Sequence, residues 1–107
     1  MELVTFKTDI GNSYLEDSIK YYIEHGTDPG GFLTAVFNNN LFGAIQKADH
    51  FNKQEISTIV LWVFDNLPKI SYGNQELVQN WQQDTDKIRT RYIEKLKKQR
   101  TWEILQQ

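Results

Sequence analysis

The chain has 107 residues, of which 39% are hydrophobic and 13% are aromatic, and it contains no cysteine. This length fits one domain of ordinary size, and the composition supports a packed core rather than global disorder. The absence of cysteine excludes a disulfide framework, thiolate metal ligands and a cysteine nucleophile.

Charge is distributed unevenly along the chain, although the net charge is only −2. Residues 1–83 contain five lysines and ten acidic residues, a net charge of −5. Residues 84–107 contain seven basic and four acidic residues, a net charge of +3. This asymmetry predicts a helical core domain, residues 1–83, followed by a basic helical C-terminal extension, residues 84–107.

Asn12 and Ser13 mark the start of the first helix, and Ser13 has the spacing of a capping box with Glu16. His25-Gly26 suits the end of this first helix, because glycine readily adopts the left-handed conformation that follows a helix. A second helix is predicted to open after Asp28, a good N-cap, with Pro29 at its first position.

A short third helix is predicted over residues 41–48, capped by Asn40. Asn52 and Glu55 repeat the capping-box spacing and predict a fourth helix over residues 53–66. Its broad apolar face predicts the central helix of the core. The residues of that face are Ile56, Ile59, Val60, Val63, Phe64 and Leu67.

A fifth helix begins near Asn74, and its end is open. It either stops near Asp84 or continues as one long rod into the basic extension. The predicted fold class is therefore all-α, a compact small domain of about five helices with a charged C-terminal helical extension.

The sharpest local feature is Pro29-Gly30-Gly31 at the opening of the second helix. Glycines in the first turn let a ligand approach backbone N–H groups at the positive end of the helix dipole. That arrangement suits a phosphate or a carboxylate. The alternative is close helix packing or simple turn geometry at Gly30 and Gly31, and no full phosphate-loop pattern is present.

A polar cluster brackets the short third helix and can offer amide and imidazole groups to a nucleobase or a sugar. The alternative is capping and turn formation, which asparagine and aspartate favour. The cluster consists of Asn38, Asn39, Asn40, Asp49, His50 and Asn52.

The chain shows no recognisable catalytic or metal-binding pattern. His25 and His50 are not spaced as metal ligands on one helix, and no Gly-x-Ser-x-Gly nucleophile motif is present. We therefore expect a protein that is not an enzyme and that uses neither a metal nor a cofactor.

The basic extension offers a possible contact with nucleic acid, because four of its cations fall on one helical face. A solvated face, or one that docks on the acidic body of a neighbouring subunit, is the favoured alternative, since the chain as a whole has an acidic isoelectric point of about 5.6. The four residues are Lys87, Arg91, Lys95 and Lys98.

Neither a membrane span nor a signal peptide is expected. The longest apolar run, Ile59 to Phe64, is far shorter than the roughly 20 residues that a span requires. The N-terminus has no basic region followed by an apolar stretch, so a cytoplasmic location is expected.

Several segments between residues 14 and 81 occur in an order and spacing that resemble a group of small proteins encoded by tailed bacteriophages and prophages. The shared pattern is Y-I-E-H-G, P-G-G-F-L-x-A-V, N-D-L-x-G-A, A-D-x-x-N and Y-G-S-P-E. The matching segments here are Tyr22-Ile23-Glu24-His25-Gly26, Pro29-Gly30-Gly31-Phe32-Leu33, Asn40-Leu41-Phe42-Gly43-Ala44 and Ala48-Asp49.

This chain departs from the pattern at two points: Asn39-Asn40-Leu41 replaces N-D-L, and Gly73-Asn74-Gln75-Glu76 stands where G-S-P-E is common. The lost aspartate weakens any catalytic role for a carboxylate there. The resemblance implies an origin, a phage accessory protein made in the cytoplasm of a bacterial host, and no particular activity.

Two readings of the function follow. In the first, the chain is a non-enzymatic and possible anti-defence module that sequesters an anionic, nucleotide-like ligand, with homo-oligomerisation through the extension. In the second, it is an inhibitor or adaptor that binds a host protein through an exposed aromatic patch; nucleic-acid binding ranks third. The predicted ligand-binding residues are His25, Gly30, Gly31, Phe32, Asn40, His50 and Tyr72.

Overall fold

The computed structural model describes the backbone of residues 10–106 and the side chains of residues 10–99. No strand occurs among the described residues, so the all-α prediction is confirmed. Two short 3-10 turns, Lys69–Ser71 and Thr85–Lys87, precede the last two helices. The α-helices of the described part are Ser13–His25 (α1), Gly31–Phe37 (α2), Leu41–Lys47 (α3), His50–Gln54 (α4), Ile56–Asn66 (α5), Gln75–Gln83 (α6) and Ile88–Gln106 (α7).

Three large aromatic side chains, Tyr22, Phe37 and Trp81, are completely buried at the centre of the core. The ring centroid of Tyr22 lies 4.9 Å from that of Phe37 and 6.5 Å from that of Trp81. The Tyr22 hydroxyl donates to the carbonyl of Ser71 (2.7 Å), and Trp81 Nε1 donates to the carbonyl of Tyr22 (2.9 Å). The hydrogen bonds of Tyr22 and Trp81 offset the cost of burying their polar atoms and join α1, α6 and the Ser71 turn.

The start of α1 differs by one residue from the prediction, whereas its end agrees with it. Asn12, rather than Ser13, is the N-cap, because its side-chain oxygen accepts from the N–H of Leu15 (3.2 Å). At the other end Gly26 adopts the left-handed conformation, with φ 70°, as predicted.

The predicted start of the second helix is wrong, because α2 begins at Gly31 and not at Pro29. The carboxylate of Asp28 accepts from the N–H of Gly30 (2.9 Å), which forms a local turn in place of a helix cap. Gly30 itself has φ 94°, a conformation outside the helical region that glycine takes readily.

Helices α2 and α3 pack against each other as a short helical hairpin. Asn39 turns the chain with φ 62°, and Asn40 caps α3 by accepting from the N–H of Gly43 (2.9 Å), as predicted. The N–H of Gly73 donates to the carbonyl of Phe37 (2.7 Å), which ties the end of α2 to the segment before α6.

The predicted fourth helix, residues 53–66 with Asn52 as its cap, is wrong because the segment forms two helices. Asp49 caps α4 by accepting from the N–H of Asn52 (2.7 Å), and Asn52 is buried inside this helix. The chain leaves helical geometry at Glu55, with φ −102° and ψ 11°, before α5 begins.

Helix α5 buries only one of its two apolar sides. Ile59, Trp62 and Val63 face the core, as the apolar spacing predicts for Ile59 and Val63. Val60 and Phe64, which were also predicted to lie in the core, are 45% and 59% exposed. The description of this segment as the central core helix is therefore wrong for its outer side.

Helices α6 and α7 are two separate helices, which answers the question that the sequence left open. The chain bends at residues 84–87, and α7 folds back so that the Tyr92 ring meets the Trp81 ring edge-on, 5.6 Å between centroids. Four apolar side chains in the described part of α7 pack partly buried against the core. They are Ile88, Tyr92, Ile93 and Leu96.

Candidate functional site

The glycine opening of α2 lies beside a cation. A Cβ atom at Gly31 would lie 3.1 Å from Cδ of Lys47 and 3.7 Å from its Nζ, because the hairpin brings the end of α3 back to the start of α2. The Asp28 carboxylate lies at the same place and already accepts from Gly30. The side chain of Phe32 is buried in the core, so that this residue can offer a ligand only its backbone.

Asn40 and Tyr72 lie at the other end of the hairpin. Helix α2 has seven residues and therefore separates Gly31 from Asn40 by roughly 10 Å. Tyr72 lies near this far end, because the neighbouring Gly73 bonds to the last residue of α2. Its hydroxyl accepts from Nζ of Lys69 (3.1 Å). The predicted ligand-binding residues thus fall into at least two groups.

His25 and His50 are both exposed, and their contacts remain within their own helices. The His25 ring stacks on Tyr21 with 6.3 Å between centroids, and its Nε2 lies 3.6 Å from the carboxylate of Glu24. His50 Nε2 lies 3.3 Å from the side-chain nitrogen of Gln54. In the described part of the chain, these contacts do not link either imidazole to the glycine opening.

Two amides of the predicted polar cluster have buried oxygen atoms without a hydrogen-bond partner among the described residues. They are Oδ1 of Asn38 and Oδ1 of Asn52, and Asn52 is only 8% exposed. An unpaired buried acceptor costs about 1–3 kcal/mol. Asn40 and Asp49, by contrast, are occupied as helix caps.

Exposed apolar side chains on two helices form the feature that the sequence reading missed. On α5, Val60, Leu61 and Phe64 form an outer face, with Leu61 62% exposed. The α3 outer face consists of Leu41, Phe42 and Ile45, with Phe42 82% exposed.

A cation covers part of the α5 outer face. Nζ of Lys69 lies 3.4 Å from the centroid of the Phe64 ring, a cation–π contact. The same ammonium group donates to the Tyr72 hydroxyl, so a charged and hydrogen-bonded group borders the α5 outer face.

One sequence signal could have revealed this face. The run from Ile59 to Phe64 is apolar without a break and covers more than one helical turn, so apolar side chains extend beyond the core-facing side of α5. Only a narrower face, which carries Thr58 and Asp65, is polar.

The basic face predicted for the extension is shorter than expected. Lys87 lies in the bend with φ 59°, outside α7, and is therefore not on that helical face. Arg91, Lys95 and Lys98 are exposed on α7. Arg89 instead points to the core, where Nε donates to the carbonyl of Trp81 (3.1 Å).

The described residues contain no group of three or more histidine, aspartate or glutamate side chains arranged to hold a metal ion. Among the helices of the described part, none is long and apolar enough to cross a membrane. No protein-family model matches the chain, and no match is found among the curated proteins or the solved structures. The function must therefore be inferred from the described residues.

Proposed function

We propose that the chain is a non-enzymatic binding module whose partner is another protein, which it contacts through the outer faces of α5 and α3. The observation that carries this proposal is the exposure of Val60, Leu61 and Phe64, three neighbouring large apolar side chains on α5. Large apolar side chains clustered on a surface mark sites of association, because water is a poor solvent for them.

Covering these side chains contributes to association and offsets part of the lost translational and rotational freedom. Burial of one large apolar side chain contributes roughly 1.5–3 kcal/mol, so covering six that are about half exposed releases on the order of 5 kcal/mol. Phe42 and Phe64 would supply aromatic anchors of the kind that dominate interfaces. A partner helix laid across these outer faces is one arrangement that covers them.

The resemblance to phage-encoded proteins supports a host protein as the partner and the host cytoplasm as the location. A small phage accessory protein of this kind acts in stoichiometric amounts, for example by blocking a factor of the host's defence. This step is an analogy of origin rather than a deduction from the fold.

The test is affinity capture from a lysate of the bacterial host with three baits: wild type, Leu61→Lys and Thr58→Lys. Thr58 is an exposed polar residue of the same helix and provides the matched control. We expect one protein to be retained in stoichiometric amount by wild type and by Thr58→Lys, and about ten-fold less by Leu61→Lys, because a charge cannot be buried unpaired.

Thermal unfolding of the three baits should agree within about 0.5 kcal/mol, since exposed substitutions rarely change stability by more. Capture of the same proteins in the same amounts by all three baits would contradict the proposal.

A second candidate, sequestration of an anionic nucleotide-like ligand, is favoured by one observation. Lys47 lies beside Gly31, so that an ammonium group stands next to the opening of α2. Native mass spectrometry of protein purified from host cells should then show a bound anion of fixed mass that Lys47→Gln reduces at least ten-fold. A clean protein mass for both forms would remove this candidate.

A further inference from the structure

The bend between α6 and α7 is built from residues in an unfavourable backbone conformation. Asp84, Asp86 and Lys87 all have left-handed φ values, 55°, 53° and 59°. Residues with a Cβ pay for this conformation with roughly 1–2 kcal/mol each, and lysine has no short polar side chain that would reduce the cost. The bend is therefore a strained joint.

Local sequence does not require the joint. From residue 74 to residue 107 the chain contains neither glycine nor proline, and glutamine, lysine, arginine, glutamate and leucine, all good helix formers, predominate. Most of this stretch therefore favours a helix, and Asp84 and Asp86, although weaker helix formers, cost less in a helix than in the left-handed conformation. The tertiary contacts of α7 must therefore hold the bent form, and such a conflict between local and global preference marks sites of conformational change.

Four contacts hold the bent form. Arg89 donates from Nε to the carbonyl of Trp81 (3.1 Å) and from Nη1 to the carbonyl of Glu24 (3.4 Å). The Tyr92 ring packs on Trp81, and the carboxylate of Asp84 accepts from both the N–H and the hydroxyl of Thr90.

A straight helix would lose the contacts that link α7 to α6. Trp81 and Tyr92 are 11 residues apart, which corresponds to about 16 Å along a helix axis. Asp84 and Thr90, six residues apart, would point to different sides and different turns. The contacts of Arg89 and Tyr92 with Trp81 and Glu24 can, however, be remade by the α7 of another copy of the same chain, whereas the contact between Asp84 and Thr90 belongs to the bend itself.

We propose that α6 and α7 straighten into one helix at residues 84–87 and that two copies exchange their α7 helices to form a dimer. The partner surface is the one that α7 already covers within its own chain, so the interface needs no new contacts.

The test compares alanine and glycine at the same two positions of the joint. Asp86→Ala with Lys87→Ala penalises the left-handed bend and favours the helix, whereas Asp86→Gly with Lys87→Gly relieves the bend and disfavours the helix. Both pairs are made in a Leu61→Lys background, so that association through the α5 outer face is suppressed. Sedimentation equilibrium after refolding over a range of concentrations gives the dimer dissociation constants.

We expect the alanine pair to dimerise about ten-fold or more tightly than the Leu61→Lys parent, and the glycine pair about ten-fold or more weakly. Equal dissociation constants for the two pairs, or monomers in both at every concentration, would overturn the exchange. The single changes Lys87→Ala and Lys87→Gly repeat the comparison if a double variant folds poorly. Because Leu61 is absent throughout, these outcomes are independent of those for the proposed host partner.

Discussion

Gly26 occupies the point where the end of α1 meets α6 and α7. Its φ of 70° lies in the left-handed region, and a Cβ atom there would lie 2.8 Å from the carbonyl oxygen of Gln82 and 2.9 Å from Nε of Arg89. The position therefore requires glycine for two separate reasons, the backbone conformation and the close approach of a neighbouring helix.

Gly26→Ala is expected to destabilise the fold by about 2–3 kcal/mol, measured by urea unfolding, because the strain of the left-handed conformation adds to the clash. Gly11→Ala is the matched control, since Gly11 has φ 82° and, among the described residues other than its chain neighbours, no atom lies within 4 Å of its would-be Cβ. We expect about 1 kcal/mol for the control from strain alone. Equal losses in the two variants would show that the helix contact is unimportant.

Predictions that depend on a single residue were correct at two helix ends. Gly26 as the end of α1 and Asn40 as the cap of α3 were both predicted, because each acts through its own backbone or the next turn. The cap of α1 was assigned to Ser13 instead of Asn12, since these two good capping residues are neighbours in the chain. Asp28 was assigned as a helix cap, but its carboxylate accepts from Gly30 in a local turn.

At the scale of elements, Asp84 attaches the start of α7 to the bend. The pKa of Asp84 is lowered from 3.8, first because the Thr90 hydroxyl donates to its carboxylate and then because the Thr90 N–H does so. A lowered folded-state pKa means that this contribution to stability is complete above pH 3.8. It is lost as the pH falls through the folded-state value.

Asp84→Asn should therefore be less stable than wild type near neutral pH, and the difference in Tm should shrink as the pH falls below 3.8. Thermal unfolding followed by circular dichroism over this range gives the comparison. Asp86→Asn is the control. Asp86 also has a left-handed φ, but the hydrogen bonds from Thr90 go to Asp84 and not to Asp86. Parallel Tm curves for wild type and Asp84→Asn would rule out the carboxylate's role.

The joint between α6 and α7 is a helix boundary that could not be predicted from the sequence alone. The sequence near Asp84 is ambiguous, because neither glycine nor proline is present and Gln82 and Gln83 favour a helix, whereas residues 84–86 are weaker helix formers. The bend depends on the contacts of Arg89 and Tyr92 with Trp81, which form only after the chain has folded back.

At the scale of the whole molecule, the small thickness of the fold explains why one side of α5 is exposed. The shortest principal extent is 17 Å, and the radius of gyration is 14.4 Å, above the value of about 13 Å expected for a compact chain of this length. A helix with its side chains is about 10 Å across, so the molecule is two helix layers thick. No helix in such an arrangement is surrounded on all sides.

The same dimension explains why the outer faces were not foreseen. The apolar spacing of Ile59 and Val63 correctly predicted that α5 enters the core. Whether Val60 and Phe64 would be covered depended on the number of layers, which is a property of the assembled chain. The all-α class follows from local patterns, whereas the candidate binding surface follows from the assembly.

The hydrogen bond between Trp81 and Tyr22 gives the protein an internal reporter. The indole N–H is fully buried and bonded to a carbonyl 59 residues away, on another helix. Its proton can exchange with solvent deuterium only when α1 and α6 separate. One slowly exchanging indole resonance would therefore measure the global opening of the domain in an unlabelled sample.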